Sequence, residues 1–376
     1  KMDLEMIIPV GVDWDSDGDI DLVTGDEDGR VALIENTGEV ENNMPVFESP
    51  VYFQQKADLL KFGALVTPYS IDWDSDGDDD LICGNTAGYI GFIENMDGGN
   101  PPKWDKPVLL EADGEVIRIM AGDSGSIQGP AEKKWGYTTV SVADWDMDGL
   151  NDLIVNSIWG KIIWYKNIGS KTKPVLDKAQ PIKAEFRGAA PKPSWNWWDP
   201  ENNNLVTQWR TTPFAIDWNK DGLTDLVMLD TEGYLSYYER YKDEGQLKLK
   251  PGERIFYSVN ESVFDNKNNV QDSTSGVLRM NNRDAGGSGR RKFCIADWDQ
   301  DGDYDIIVNS VNASLFENIG TDNGKVMFKH HGPMAATKLS GHTTSPTVVD
   351  WNKDGMPELL IGAEDGHLYY LPGDKE

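Results

Sequence analysis

DWDSDGDID at residues 13–21 is followed by DWDSDGDDD at 72–80, DWDMDGLND at 144–152, DWNKDGLTD at 217–225, DWDQDGDYD at 297–305 and DWNKDGMPE at 350–358. The shared pattern, D-W-[DN]-x-D-G-x-x-[DE], sets side-chain oxygens at positions 1, 3, 5 and 9. Glycine at 6 permits a sharp turn and leaves a main-chain carbonyl at 7, which suits a hard cation with many oxygen ligands. One such string is equally readable as an Asx-rich turn. Six in matching contexts point to a metal loop, with calcium as the ion and up to six ions per chain.

The surroundings of the loop repeat as well. A β-rich segment ending in small and apolar residues precedes it (TTVSVADW, TTPFAIDW, KFCIADW, SPTVVDW), and an apolar strand, a Gly-centred turn and a second strand follow (DLVTGDEDGRVALIEN, DLICGNTAGYIGFIEN). The unit is strand A, loop, strand B, tight turn, strand C and usually a weaker strand D. Loop starts lie 59, 72, 73, 80 and 53 residues apart. Four short antiparallel strands at that period predict an all-β fold, a β-propeller with six visible calcium-loop blades. Its core is distributed blade by blade, so residues 1–376 read as one domain with insertions near 113–137, 185–212 and 260–292. Only seven residues precede the first A-like strand, and the chain ends on a C-like strand. The expectation is a seven-bladed parent whose first strands lie outside this sequence.

These loops and flanks resemble the VCBS and FG-GAP type propeller repeats, calcium-loop blades also found in integrin α-subunit heads and in some polysaccharide lyases. The resemblance runs from Ile8 to Leu371. It implies ligands from the side chains at positions 1, 3, 5 and 9 and the carbonyl at 7. The first set is then Asp13, Asp15, Asp17, Asp19 and Asp21, the second Asp72, Asp74, Asp76, Asp78 and Asp80, and the third Asp144, Asp146, Asp148, Leu150 and Asp152. The fourth is Asp217, Asn219, Asp221, Leu223 and Asp225, the fifth Asp297, Asp299, Asp301, Asp303 and Asp305, and the sixth Asp350, Asn352, Asp354, Met356 and Glu358. Asparagine at position 3 of the fourth and sixth copies, and glutamate at position 9 of the sixth, imply weaker binding there.

The formal charge of −29 follows largely from these loops, which hold 26 of the 64 acidic residues and leave 38 acids against 35 bases. Such a chain is a poor partner for nucleic acid or an anionic membrane surface. No hydrophobic run reaches transmembrane length. Calcium loops suit a secreted, periplasmic or cell-surface location, where calcium is plentiful. Cys83 and Cys294 fall in different blades and strand positions and read as buried thiols.

Function must reside in departures from the repeat. A–B connections carry the calcium loops, so segments inserted before an A strand or within a B–C turn gather on the opposite face. Six tryptophans outside the repeat positions fall there: Trp135, Trp159, Trp195, Trp197, Trp198 and Trp209. Trp135, Trp159, Trp198 and Trp209 are candidates for stacking against sugar rings; the alternative is that such tryptophans pin long loops by burying area. Arg210, Arg290 and Arg291 are candidates for an acidic sugar, since the guanidinium fork suits a carboxylate. Pairing of Arg290 or Arg291 with Asp284 is the competing reading. Tyr137, Arg210 and His342 each stand before a Thr-Thr pair and are expected to converge at the channel mouth, with His342 and Tyr137 as base and acid.

Two readings follow. One is a polysaccharide lyase-like enzyme on a uronate-containing glycan, Arg210 neutralising the carboxylate while His342 and Tyr137 move protons. Its variant, a glycoside hydrolase, needs two carboxylates, with Asp123, Glu132, Asp199 and Glu201 available. The other reading is a non-catalytic carbohydrate-binding or adhesion module using the same face. The sequence favours the enzyme and leaves both open.

Overall fold

Alternation of apolar residues on either side of each acidic loop yields the expected hairpins. The computed structural model describes residues 7–25, 31–53, 60–126, 129–264, 275–282, 289–339 and 343–371. The six A strands are Ile8–Val12, Thr67–Ile71, Thr139–Ala143, Phe214–Ile216, Phe293–Ala296 and Ser345–Val349. Each pairs antiparallel with its B strand: Asp21–Gly25, Asp80–Gly84, Asp152–Asn156, Asp225–Leu229, Asp305–Asn309 and Glu358–Gly362. C strands follow at Val31–Ile34, Ile90–Ile93, Ile163–Tyr165, Leu235–Tyr238, Ala313–Asp322 and Leu368–Leu371. Short D strands, Val51–Tyr52, Val108–Leu109 and Gln180–Pro181, complete the first three units. In unit five the outer strand Lys325–Pro333 is joined in parallel by Phe256–Ser258, from the long connection after unit four. Among the described residues only two short 3-10 turns interrupt the strands, and no helix is long and apolar enough to cross a membrane.

The A strands of units two to six touch their neighbours in order, and that of unit six returns to that of unit two. Hydroxyls tie them together. Thr67 Oγ1 donates to Thr138 O at 2.8 Å and Thr139 Oγ1 to Thr211 O at 2.7 Å. Ser141 Oγ accepts Ala215 N–H at 3.0 Å, and Thr347 Oγ1 accepts Ser70 N–H at 3.3 Å, the latter across the seam between units six and two. The ring thus closes on five blades, where counting loops leads one to expect six or more. B strands are buried on both faces, so each blade packs on both neighbours: Ile82, Ile154, Val227, Ile307 and Leu360 occupy one repeat position and are all buried. Tyr69, Phe214 and Phe293 help fill the axis, leaving a cavity of only about 10 Å³.

Unit one forms its own four-stranded sheet, and no strand of it pairs with another unit among the described residues. Its A strand is exposed throughout. The reason is local. Ile8 and Val10 stand where Thr67, Thr139, Ser141 and Thr347 supply the hydroxyls that join adjacent A strands. Val23, the counterpart of Ile82, is only half-buried.

Candidate functional site

The loops adopt one conformation in all six units. Position 6 glycine has φ between 83° and 102°, and position 4, never glycine, is also left-handed, from 55° at Lys353 to 66° at Ser16. In the second loop the position 1 carboxylate folds the loop over itself, Asp72 accepting Asp76 N–H at 3.1 Å and Gly77 N–H at 3.3 Å. Position 9 ties the loop to the blade. Asp80 accepts Trp73 N–H at 3.0 Å and Asn95 N–H at 2.9 Å, and Asp152 and Asp305 repeat the pattern. Burial pushes the Asp80 carboxyl up to about 7 and those of Asp152 and Asp305 up to about 6.

Carboxylate oxygens gather within 4.8 Å of one another at Asp13, Asp15 and Asp17, at Asp72, Asp74 and Asp80, at Asp144, Asp146 and Asp152, and at Asp297, Asp299 and Asp301. Asp19 Oδ1, Asp74 Oδ1, Asp78 Oδ1, Asp146 Oδ1 and Asp297 Oδ1 are buried without a hydrogen-bond partner. Orphaned buried anionic oxygens in a hard-oxygen cluster fit a divalent cation. The fourth and sixth loops differ: Asn219 Nδ2 donates to Asp221 at 3.0 Å and Asn352 Nδ2 to Glu358 at 2.7 Å, so an amide occupies carboxylates that cluster elsewhere. Lys166 pairs with Asp146 and, at 2.8 Å, with Asp148, placing an ammonium at the third loop.

At the other end of the A strands lies the tryptophan face. A five-residue strand separates Tyr137 from the third loop by roughly 16 Å at about 3.3 Å per residue. Tyr137, Trp209, Ile158 and Ala121 form a buried cluster with Trp135, Trp159 and Trp195 packed on it. Within it Arg210, 1% exposed, lies 3.4 Å over the Tyr137 ring, and its Nη2 is 3.3 Å from each oxygen of buried Glu132. Tyr137 Oη donates to Glu132 at 3.4 Å, and Ser126 Oγ donates to its other oxygen. Further out, the Lys161 ammonium lies 5.1 Å from the Trp159 ring and 4.7 Å from that of Trp198. Trp197 beside them is 48% exposed. Trp159 Nε1 donates to Met120 O at 3.0 Å, and Lys192 Nζ holds the 195–198 turn through Asn196 O and Trp198 O.

Residues 297–361 match the family described as FG-GAP-like repeat. This stretch, the fifth unit with the start of the sixth, carries an FG-GAP-like repeat within a β-propeller fold. No curated protein matches it. Among solved structures it is similar to a triple arginine-to-alanine mutant of AofleA from Arthrobotrys oligospora, at 11% identity and a TM-score of 0.38, covering 95% of this chain and 83% of that one. It is also similar to BBS1N in complex with ARL6DN, at 12% identity and a TM-score of 0.30 in a mercury-soaked crystal, covering 97% and 91%. At such scores neither fixes blade number or function.

In this propeller the candidate residues fare differently. Tyr137 and Arg210 do meet, but at a buried carboxylate and not at an open pocket. Trp209 is 2% exposed, which removes it as a stacking platform. Trp135 packs edge-on against Tyr137 at 5.5 Å. Arg291 is buried and donates to Met280 O at 2.8 Å and Asn309 O at 3.1 Å. Trp159 and Trp198 remain partly accessible. His342, with Asp284, lies outside the described residues. Its register also differs from that expected: Thr344 Oγ1 donates to Ser310 O as Thr138 Oγ1 does to Asn85 O, so Thr343 is the counterpart of Tyr137 and His342 stands one residue earlier. Of the five equivalents in the ring, Leu65, Tyr137, Arg210 and Arg290 are left-handed at φ 52°, 48°, 58° and 64°.

Sequence reasoning missed Lys161, whose place after the Trp159–Gly160 turn was the available signal. Lys292, two residues after Arg290 and a cation the sequence places on this same face, is buried. Burial, followed by repulsion from Arg210, Arg290 and Arg291, pulls its ammonium down to about 7.

Proposed function

We propose that this propeller is a calcium-stabilised, non-catalytic carbohydrate-binding protein that takes an acidic oligosaccharide on its tryptophan face. The observation that carries the reading is the Trp159–Lys161–Trp198 arrangement, two indoles around one ammonium with exposed Trp197 alongside. Flat rings suit the apolar faces of sugars, and an ammonium between them suits a uronate carboxylate or a sulfate. The groups best suited to proton transfer are engaged with one another: Glu132 accepts from Arg210, Tyr137 and Ser126. That engagement favours binding over the lyase reading. The four clustered loops fit calcium, which would brace the blade edges at the far end of the A strands and take no part in ligand contact.

Binding to a panel of uronate and sulfated polysaccharides, followed by affinity electrophoresis, tests the proposal. Trp159→Ala and Trp198→Ala should each weaken retention about tenfold, as for loss of a stacked ring worth roughly 1–1.5 kcal/mol. Retention unchanged in both variants would refute the assignment. Appearance of unsaturated products absorbing near the ultraviolet edge would replace it with the lyase.

A further inference from the structure

A second cavity lies on the rim between units three and four, at the calcium-loop end and away from the tryptophan face. Its volume is about 330 Å³, within the range of small-molecule sites. Trp145, Trp164, Ile182 and Leu249 give it apolar walls, and Arg240 and Lys183 bring positive charge. The cavity exists because unit four departs from the repeat. At the end of strand C units one, two, three and five have Asn36, Asn95, Asn167 and Asn318, whose backbone N–H bonds the position 9 carboxylate. Asn36, Asn95 and Asn318 also turn their amides back onto the carbonyl at position 8 of their own loops. Arg240 keeps the backbone bond, to Asp225 at 2.6 Å, but sends its side chain across the blade interface. There Nη2 donates to Trp145 O at 3.0 Å and the guanidinium lies 3.7 Å over the Trp145 ring. The hairpin Arg240–Asp243 with Gln246–Leu249, which follows it, supplies the outer wall.

Arg240 is 6% exposed, and its Nε and Nη1 have no acceptor. Asp146 and Asp225 are near enough to act on its charge, but neither side chain hydrogen-bonds the guanidinium. A buried cation with idle donors is costly unless an anion meets it. Trp164 offers a partly accessible flat ring close to Arg240 and Lys183, so the cavity fits a flat body bearing one negative charge, with Gln180 on the wall as a further polar partner.

We propose that this rim cavity is a binding site for a small carboxylic acid on an apolar ring, the carboxylate directed at Arg240 and the ring held against Trp164. Titration calorimetry of the full chain with phenylacetate, and with neutral phenylacetamide as control, tests it. Phenylacetate should bind and the amide should bind about tenfold more weakly or worse, as for loss of a charge-assisted hydrogen bond. Arg240→Asn, which restores the residue of four other units, should cost about tenfold or more, while Arg240→Lys keeps the charge and should retain the larger part. Trp159→Ala on the other face should change nothing, so failure here and failure of the carbohydrate reading are separable. Absence of phenylacetate binding at millimolar concentration, equal affinity for acid and amide, or equal affinity of the Asn and Lys variants would overturn the proposal.

Discussion

Replacing Glu132 by alanine tests whether Arg210 is part of the architecture or a free recognition group. Arg210 is 1% exposed, Glu132 is 3% exposed, and the guanidinium has two carboxylate contacts at 3.3 Å. Its Nε already lacks an acceptor. Without Glu132 the cation would keep only the faces of Tyr137 and Trp209, at 3.4 and 4.9 Å. Removing one member of a buried pair costs about 3–5 kcal/mol, because the remaining charge stays buried and uncompensated. At about 2–4 °C per kcal/mol for larger domains, the melting temperature should fall by on the order of 10 °C. The double change Glu132→Leu with Arg210→Met removes both charges and should recover most of the loss, since apolar replacement of a whole buried pair is often neutral. Calorimetry or circular dichroism on the three variants reads the coupling directly. If Glu132→Ala melts within about 2 °C of the parent, Arg210 does not depend on this carboxylate, and its role as partner of a substrate carboxylate is reinstated.

Three further outcomes are expected. Chelation should lower the melting temperature, each site contributing about 2.7 kcal/mol when calcium stands at 100 times its dissociation constant. A carboxyl raised in the folded chain holds its proton more tightly there than in the unfolded chain. Without calcium, the stabilisation from Asp80, Asp152 and Asp305 is therefore full at low pH and lost as pH climbs through about 6 to 7. Calcium must displace those protons, so the calcium-induced melting shift should shrink on going from pH 8 to pH 5; a constant shift would exclude these groups as ligands. A chain beginning at Leu60 should keep the melting transition of the ring, because among the described residues unit one shares no strand pairing with it and Phe62 and Leu65 already bond Gly366 O and Glu364 O across the seam; loss of folding would show that unit one is integral.

The blades were legible because each carries its own punctuation: a glycine at φ near 90°, a carboxylate nine residues in, and apolar strands on either side. Blade closure was not, since it depends on side chains of ordinary appearance. Nothing in IPVGV announces exclusion from a ring until the hydroxyls of Thr67, Thr139, Ser141 and Thr347 are seen bonding their neighbours. The meeting of Tyr137 and Arg210 followed from repeat register, whereas their burial did not. Glu132 sits on a 3-10 turn within an insertion, and no periodicity marks it as the anion they share. His342 shows the hazard of matching short strings: the Thr-Thr pair recurs, but counting back from the loop places Thr343 at the shared position.

That shared position has a physical logic. A left-handed backbone there would be cheapest with glycine, and a residue with a Cβ costs about 1–2 kcal/mol. Yet four of the five equivalents, Leu65, Tyr137, Arg210 and Arg290, adopt it. The strain is offset by what each side chain does: Leu65 and Tyr137 enter the same apolar cluster, and Arg210 stacks on Tyr137 of the preceding unit. The backbone conformation thus turns Arg210 toward the preceding unit and brings Leu65 and Tyr137 into one cluster, on the face opposite the loops. Their chemistry is free to vary because the turn and not the side chain holds the strand in register. Arg240 follows the same rule at the other end of the blade, since the bond to position 9 is made by its backbone and leaves the side chain without a structural duty inherited from the repeat.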